Sequence, residues 1–415
     1  MKHFRMMWCT GFVALLLLIP GCGSSEAPPV PVNSPQRGDL VSITSSTFVG
    51  VTDVSAYILL LILSGVDTSD LSGITYGVSL RRIVYKTITP DGRLIDASGV
   101  VAYPVKSGGA SSPLLSFQHA TIFSDSDAPS AATSSDAALI ALAGSGFVVA
   151  MPDFIGYVAS TSETHTYVHA KGLAASIVDM LRATRQLLAS NNVALNGQLF
   201  LTGYSEGGYA TLAAQKEMEM NLPAEFPITA SMPAAGPYDM LGTARHMVGL
   251  ATNPNPEYVG FVFKAYDHWH GWNRLNDIFQ TPYNTVVATF FDGSHSGGAI
   301  HAALTTDSSA LFSTTFRSEF LGSGEAAIKA DFSSNDLYNW APVTPTHLFH
   351  GQDDDVVPYF NASNTATAMA SAGSTAVTLV NCKTSSPSIS RGHAECVWDY
   401  LSQMFGWFVP LASNL

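Results

Sequence analysis

Charge is what the sequence lacks most. Asp, Glu, Lys and Arg together make up 12% of 415 residues, against 47% for hydrophobic types, and 19 basic residues face 32 acids. The formal charge of −13 excludes a basic face of the kind that grips a nucleic-acid backbone. With so few charges, Ser, Thr, Asn and Gly must cover most of the surface, a composition common in exported proteins and unusual in cytosolic enzymes. Long apolar runs are lacking too. Residues 12–19 and 57–63 are the strongest, and both fall short of the ~20 residues that cross a bilayer. The second is expected to pack on the core as a helix. Cysteine is rare, with Cys9, Cys22, Cys382 and Cys396 the full set. Clustered metal ligands are missing as well. His165 and His169 stand at i and i+4, and His268 and His270 flank Trp269, but no carboxylate or cysteine set accompanies them at site spacing. Neither a metal nor a cofactor is expected. The length is ample for a core and fits one large domain with an insertion, or two domains.

Lys2 and Arg5 ahead of the apolar residues 12–19 have the order of a secretory signal, so residues 1–21 are set aside from the fold. They carry two cations and no acids, so their removal takes the charge from −13 to −15. Leu18-Ile19-Pro20-Gly21-Cys22 resembles a bacterial lipobox. The resemblance implies that Cys22 becomes a lipid-modified first residue, anchoring the protein to the outer membrane or cell surface; the alternative is an ordinary secreted protein. Residues 22–37 read as a flexible tether, with four prolines between 24 and 36 and little that can pack. Cys382 and Cys396 remain. In an oxidising compartment they are expected to form one disulfide, closing a short loop around His393.

What is present is an alternation of strand and helix signals. Residues 80–89 and 97–103 alternate in polarity around Pro90-Asp91-Gly92-Arg93. There Pro presets φ and Gly takes the positive φ of a tight turn, so a hairpin opens the sheet. Residues 113–119 form the third strand. Residues 147–151 form another, continuous and apolar as buried parallel strands are. Residues 170–190 give the clearest helix, with Leu173, Ile177, Met180, Leu181, Thr184 and Leu188 on one face. A strand leading to Ser205, a helix over about 209–221, and strands near 228–232, 346–350 and 376–380 follow. This alternation predicts an α/β fold with a mostly parallel, doubly wound sheet. Between 239 and 340 the alternation stops and aromatics crowd together, from Tyr258 and Phe261 to Phe290 and Phe291. The segment reads as an inserted, mostly helical cap, or as a second domain with its own aromatic core. The expected organisation is a core of residues 38–238 and 341–415 with an insertion at 239–340.

Gly203-Tyr204-Ser205-Glu206-Gly207 is G-x-S-x-G. A bare match carries false-positive risk. Here an apolar strand precedes it and a helix follows, the setting in which the pattern makes a strained turn that exposes the serine hydroxyl. A nucleophilic serine needs a base, and the base an orienting acid, in chain order Ser, acid, His for this turn type. His350-Gly351-Gln352-Asp353-Asp354-Asp355-Val356-Val357-Pro358 follows a strand and resembles the acid loop of many α/β-hydrolases. That register selects Asp354, with Asp353 and Asp355 as rivals. Gly392-His393 precedes the last helical stretch, and His393 is the last histidine. An oxyanion needs two backbone N–H groups. One is expected from Glu206 and the other from Ala120 or Thr121, in the loop after the third strand. Asp153, just past a strand, sits either at the pocket edge or in a turn cap.

Together, Gln118-His119-Ala120-Thr121, Met151-Pro152-Asp153-Phe154-Ile155-Gly156, Thr166-Tyr167-Val168-His169-Ala170, the run from Gly203 to Gly208, the acid loop and Gly392-His393 resemble the secretory lipase family of α/β-hydrolases. That group contains fungal lipase A-type enzymes and bacterial relatives, and the resemblance spans about residues 120–395. It implies ester hydrolysis by a Ser205–Asp354–His393 triad, no cofactor, and a lid inserted between nucleophile and acid. Glu206 departs from the small residue found there in some members, and its side chain has no role readable from the sequence. The aromatic-rich insertion is expected to bind the apolar acyl or aryl group of an ester. A peptidase or other acyl hydrolase on the same fold is the alternative enzyme, and a non-catalytic binding lipoprotein the alternative outside catalysis. The oligomeric state is not readable.

Overall fold

The expected hairpin forms. Val78–Ile88 and Leu94–Pro104 pair antiparallel from Val78↔Pro104 to Ile88↔Leu94, and Gly92 takes a φ of 90° in the turn. The computed structural model describes residues 34–71, 76–132, 136–383 and 392–415. The expected signal segment, Cys22 and most of the tether lie outside the described residues.

Among the described residues, nine strands make one sheet: β1 (Leu40–Val49), β2 (Val78–Ile88), β3 (Leu94–Pro104), β4 (Ser112–Gln118), β5 (Val148–Pro152), β6 (Leu195–Tyr204), β7 (Ala230–Ala234), β8 (Thr346–His350) and β9 (Val377–Asn381). Their order is β1-β2-β3-β5-β4-β6-β7-β8-β9. Pairing is antiparallel from β1 to β5 and parallel from β5 through β9. The hairpin does not open the sheet, because β1 precedes it on the edge. The strand carrying Gln118 is therefore the fourth. No residue of β1 is fully buried, so it carries no core pattern for a reader to detect.

Helices cover both faces. α1 (Val51–Leu63) and α2 (Asp136–Gly144) precede β5; α3 (Ala170–Ser190) and α4 (Glu206–Asn221) flank β6; α13 (Phe360–Ser371) and α14 (Cys396–Leu411) follow β8 and β9. Side chains alternate across a strand, and neighbours on one strand enter different cores. Leu114, Val148 and Leu199 join the cluster with α3 and α4, whereas Leu115, Val149 and Phe200 join the one with α2 and α14. The helical face read for α3 is buried throughout. The apolar run in α1 is a helix, but it packs less than expected. Only Val54 and Leu61 are buried, while Leu59, Leu60, Ile62 and Leu63 are exposed. An unbroken apolar run wraps around a helix, and only the stripe two turns apart reaches the core.

Between β7 and β8 come eight helices: α5 (Met240–Gly249), α6 (Pro256–Trp269), α7 (Leu275–Ile278), α8 (Tyr283–Thr289), α9 (Gly297–Ala303), α10 (Ser308–Leu311), α11 (Thr314–Leu321) and α12 (Ala326–Ser333). Phe263 of α6 is the centre of an aromatic cluster, edge-on to Phe279, Phe312, Phe316, Phe320 and Phe332. Much of the aromatic content thus builds this segment's own core. Phe261 instead stacks on Tyr167, at 4.4 Å and 10°, which joins the segment to the loop before α3. No helix among the described residues is long and apolar enough to cross a membrane.

Candidate active site

Ser205 sits between β6 and α4 with φ 59° and ψ −120°. A non-glycine residue in such a conformation costs on the order of 1–3 kcal/mol and is held only by its surroundings. The surroundings are close. The Ser205 N–H donates to Ala234 O at 2.9 Å. A Cβ on Gly207 would strike the carbonyl oxygens of Gln118 and His119, and one on Gly208 would strike that of Ala234. The glycines let α4 start against the end of β4, which brings Gln118 and His119 against Gly207, next to Glu206 in the chain.

His393 Nε2 lies 2.9 Å from Ser205 Oγ, and Nδ1 lies 2.7 Å from Asp354 Oδ2. The Asp354 side chain is fully buried. Its Oδ1 accepts from the N–H groups of Val356 and Val357 at 3.0 and 2.7 Å. Burial pushes this carboxyl up, but hydrogen bonds from His350 and His393 outweigh it and hold the group well below the usual carboxylate range. An ionised carboxylate only accepts. His393 Nδ1 therefore carries the proton, and Nε2 is left to accept from the serine hydroxyl. The rival acids fall elsewhere: Asp353 is exposed, and Asp355 accepts from the His393 backbone N–H at 3.0 Å. Tyr204 donates to His393 O at 2.7 Å. Cys382 and Cys396 are bonded, closing a 14-residue separation around His393.

Ala120 and Thr121 follow β4, which pairs with β6, the strand leading to Ser205. Among the described residues, the backbone N–H groups of Ala120, Thr121 and Glu206 donate to no protein acceptor, as open oxyanion donors require. The Ala120 carbonyl faces His119 Nδ1 at 2.7 Å, and Thr121 Oγ1 is 3.1 Å from the Tyr167 hydroxyl. Asp153 is not at the pocket edge. It is buried and accepts from Ser98 Oγ at 2.6 Å, from the Ser130 N–H at 2.7 Å, and from Ser130 Oγ. It thus ties β3 and the loop after β4 to the end of β5.

A pocket opens beside Ser205. Met240, Thr243, Ala244 and Met247 of α5 line it with Tyr258, Val262 and Phe263 of α6; Tyr167, Val168, Pro237, Val356 and Val357 face them. Most of the lining is aliphatic, so the aromatic-rich segment presents few aromatic rings to it. The free volume is about 30 Å³, room for a water or two.

The histidine pairs are occupied otherwise. His165 bridges Ile155 O at 2.6 Å and Glu206 Oε1 at 2.7 Å. His169 caps α3, and burial lowers its pKa to about 4. His270 Nδ1 lies 3.3 Å from Asp331. Among the described residues no group of three or more His, Cys, Asp or Glu could hold a metal ion. The supporting roles of Tyr204, His350 and Asp355 were not legible although all three lie within the motifs, and His165 stood out only as half of an i, i+4 pair.

Residues 124–223 match the model of the secretory lipase family, the family the motifs resemble. The chain is similar to the rice cell wall degrading esterase LipA from Xanthomonas oryzae in a ligand-bound form. The TM-score is 0.80 at 26% identity, covering 90% of this chain and 98% of that one. Lipase A from Candida antarctica in its closed state matches with a TM-score of 0.60 at 15% identity over 86% and 78% of the two chains, a likeness of fold. No curated protein matches the sequence. The fold is that of the α/β-hydrolases, and the family match together with the esterase likeness makes the chain a carboxylic ester hydrolase.

Proposed function

We propose that this ester hydrolase works through an acyl-enzyme on Ser205. The observation that carries the reading is the unbroken chain from Asp354 through His393 to Ser205, with the serine held at a strained elbow. Ser205 Oγ attacks the ester carbonyl carbon as its proton passes to His393 Nε2, and Asp354 stabilises the resulting imidazolium. The carbonyl oxygen becomes an oxyanion facing the N–H of Glu206 and that of Ala120 or Thr121. Collapse breaks the bond to the alcohol oxygen, which leaves with the proton from His393. Water then attacks the acyl-enzyme, gives its proton to His393, and releases the acid as Ser205 regains its hydrogen.

The mostly aliphatic pocket suits an apolar acyl group. Residues 239–340 act as a cap over the core formed by 38–238 and 341–415. The pocket's small free volume supports entry by movement of α5 and α6. Export follows from the composition and the segment 1–21, with lipid attachment at Cys22 holding the enzyme at the bacterial envelope through the tether at 22–37. Ser205→Ala is expected to lower kcat on p-nitrophenyl esters at least about 10⁴-fold. A variant that keeps its rate would refute the reading.

A further inference from the structure

The side chain of Glu206 plays no part in the acyl-enzyme steps, yet it is buried at the pocket beside Ser205. Glu206 is 1% exposed and His165 4%. His165 Nδ1 lies 2.6 Å from Ile155 O, an oxygen that can only accept, so Nδ1 carries a proton. One further proton lies between Nε2 and Glu206 Oε1, 2.7 Å apart. It rests either on the imidazole, giving an ion pair, or on the carboxyl, giving a neutral pair. In both arrangements Oε2 remains an acceptor, and in both the pair has no net charge. Oε2 is buried and has no hydrogen-bond partner among the described residues. Its residue lines the pocket with Met240, Val262, Phe263 and Val357, which offer no side-chain donor, and with the hydroxyls of Ser205, Tyr167, Thr243 and Tyr258, none of which bonds to Oε2. Buried acceptors are almost always satisfied, and one left open at a binding pocket calls for a donor from outside.

We propose that Glu206 Oε2 accepts a hydrogen bond from a hydroxyl that the substrate carries close to its scissile carbonyl. The inference rests on the serine esterase reading and names its substrate class: hydroxylated esters with an otherwise apolar acyl or alcohol part. A neutral donor fits because the Glu206–His165 pair has no charge to balance. A carboxylate at that position would face another acceptor and be rejected.

The test compares kcat/KM for matched esters, each normalised to its hydroxide-catalysed rate. Methyl butanoate is set against methyl 2-hydroxybutanoate and methyl 3-hydroxybutanoate, and propyl butanoate against glycerol monobutanoate. In the wild-type enzyme at least one hydroxylated ester is expected to exceed its partner by about 3- to 100-fold, the range from a hydrogen bond to a neutral acceptor up to one to a charged acceptor. Glu206→Met is expected to bring that ratio close to one. Wild-type ratios near one in every pair would overturn the proposal, and they decide it even if the variant fails to fold. Equal slowing of both partners in Glu206→Met, with the ratio kept, would also overturn it, since that is how a purely structural pair behaves. Failure of the underlying reading looks different: no ester is turned over and Ser205 takes no fluorophosphonate label.

Discussion

Asp354 shows how a side chain's neighbours reverse what burial alone would do. Burial favours the neutral acid, and the imidazoles of His350 and His393 tip the balance to the carboxylate. A carboxyl held below its unfolded pKa stabilises the fold fully above that unfolded value, near pH 4, and the contribution is lost as pH falls below it. The stability gap between wild type and Asp354→Asn is therefore expected to be full at pH 7 and to narrow from about pH 4 downward. Urea unfolding at several pH values reads this directly. At pH 7 the same variant is expected to lose about 10³- to 10⁴-fold in kcat. Asp355→Ala, which removes the acceptor for the His393 backbone N–H, is expected to lose about tenfold. The G-x-S-x-G turn between a strand and a helix pointed to Ser205, and Gly-His before the last helical stretch, together with chain order, pointed to His393. Among three consecutive acids only register pointed to Asp354, and what separates them is hydrogen bonding by Val356, Val357 and His350 that the linear sequence does not contain. The partner of Glu206 was unreadable for a similar reason, since His165 lies 41 residues away in sequence.

At the scale of elements, the site depends on two fixed connections. One is the turn from β6 to α4, where Gly203, Gly207 and Gly208 allow a backbone approach that no side chain would. The other is the loop before α14, held by the Cys382–Cys396 bond. Closing a loop of about this length restricts the unfolded chain by roughly 3 kcal/mol. Replacing both cysteines by serine is expected to cost about that much in urea unfolding. The variant should also lower kcat/KM well below its melting temperature, because His393 sits inside the loop. Elements with strong period or apolar runs were legible, among them α3, β5 and β8. Elements whose signal is weak were not. β1 buries nothing fully, α2 and α13 gave no periodic pattern that set them apart, and α1 showed an apolar run with no indication of which face would pack.

At the scale of the whole molecule, the sheet places every proposed participant at the carboxyl end of its parallel strands. Ser205 follows β6, the acid loop follows β8, and residues 119–121 follow β4, three parallel strands that end on the same side. Alternation of strands and helices was enough to anticipate that arrangement and the interruption after β7. It could not show that Phe263 and its neighbours would turn inward on one another and leave a mostly aliphatic wall for the pocket. The central claim is that the three loops assemble one reactive serine. Intact-protein mass spectrometry after reaction with a fluorophosphonate, followed by peptide mapping, tests it most directly. The account predicts a single adduct, located on Ser205 and absent from His393→Ala. No adduct on the folded protein, or an adduct on another residue, would contradict it.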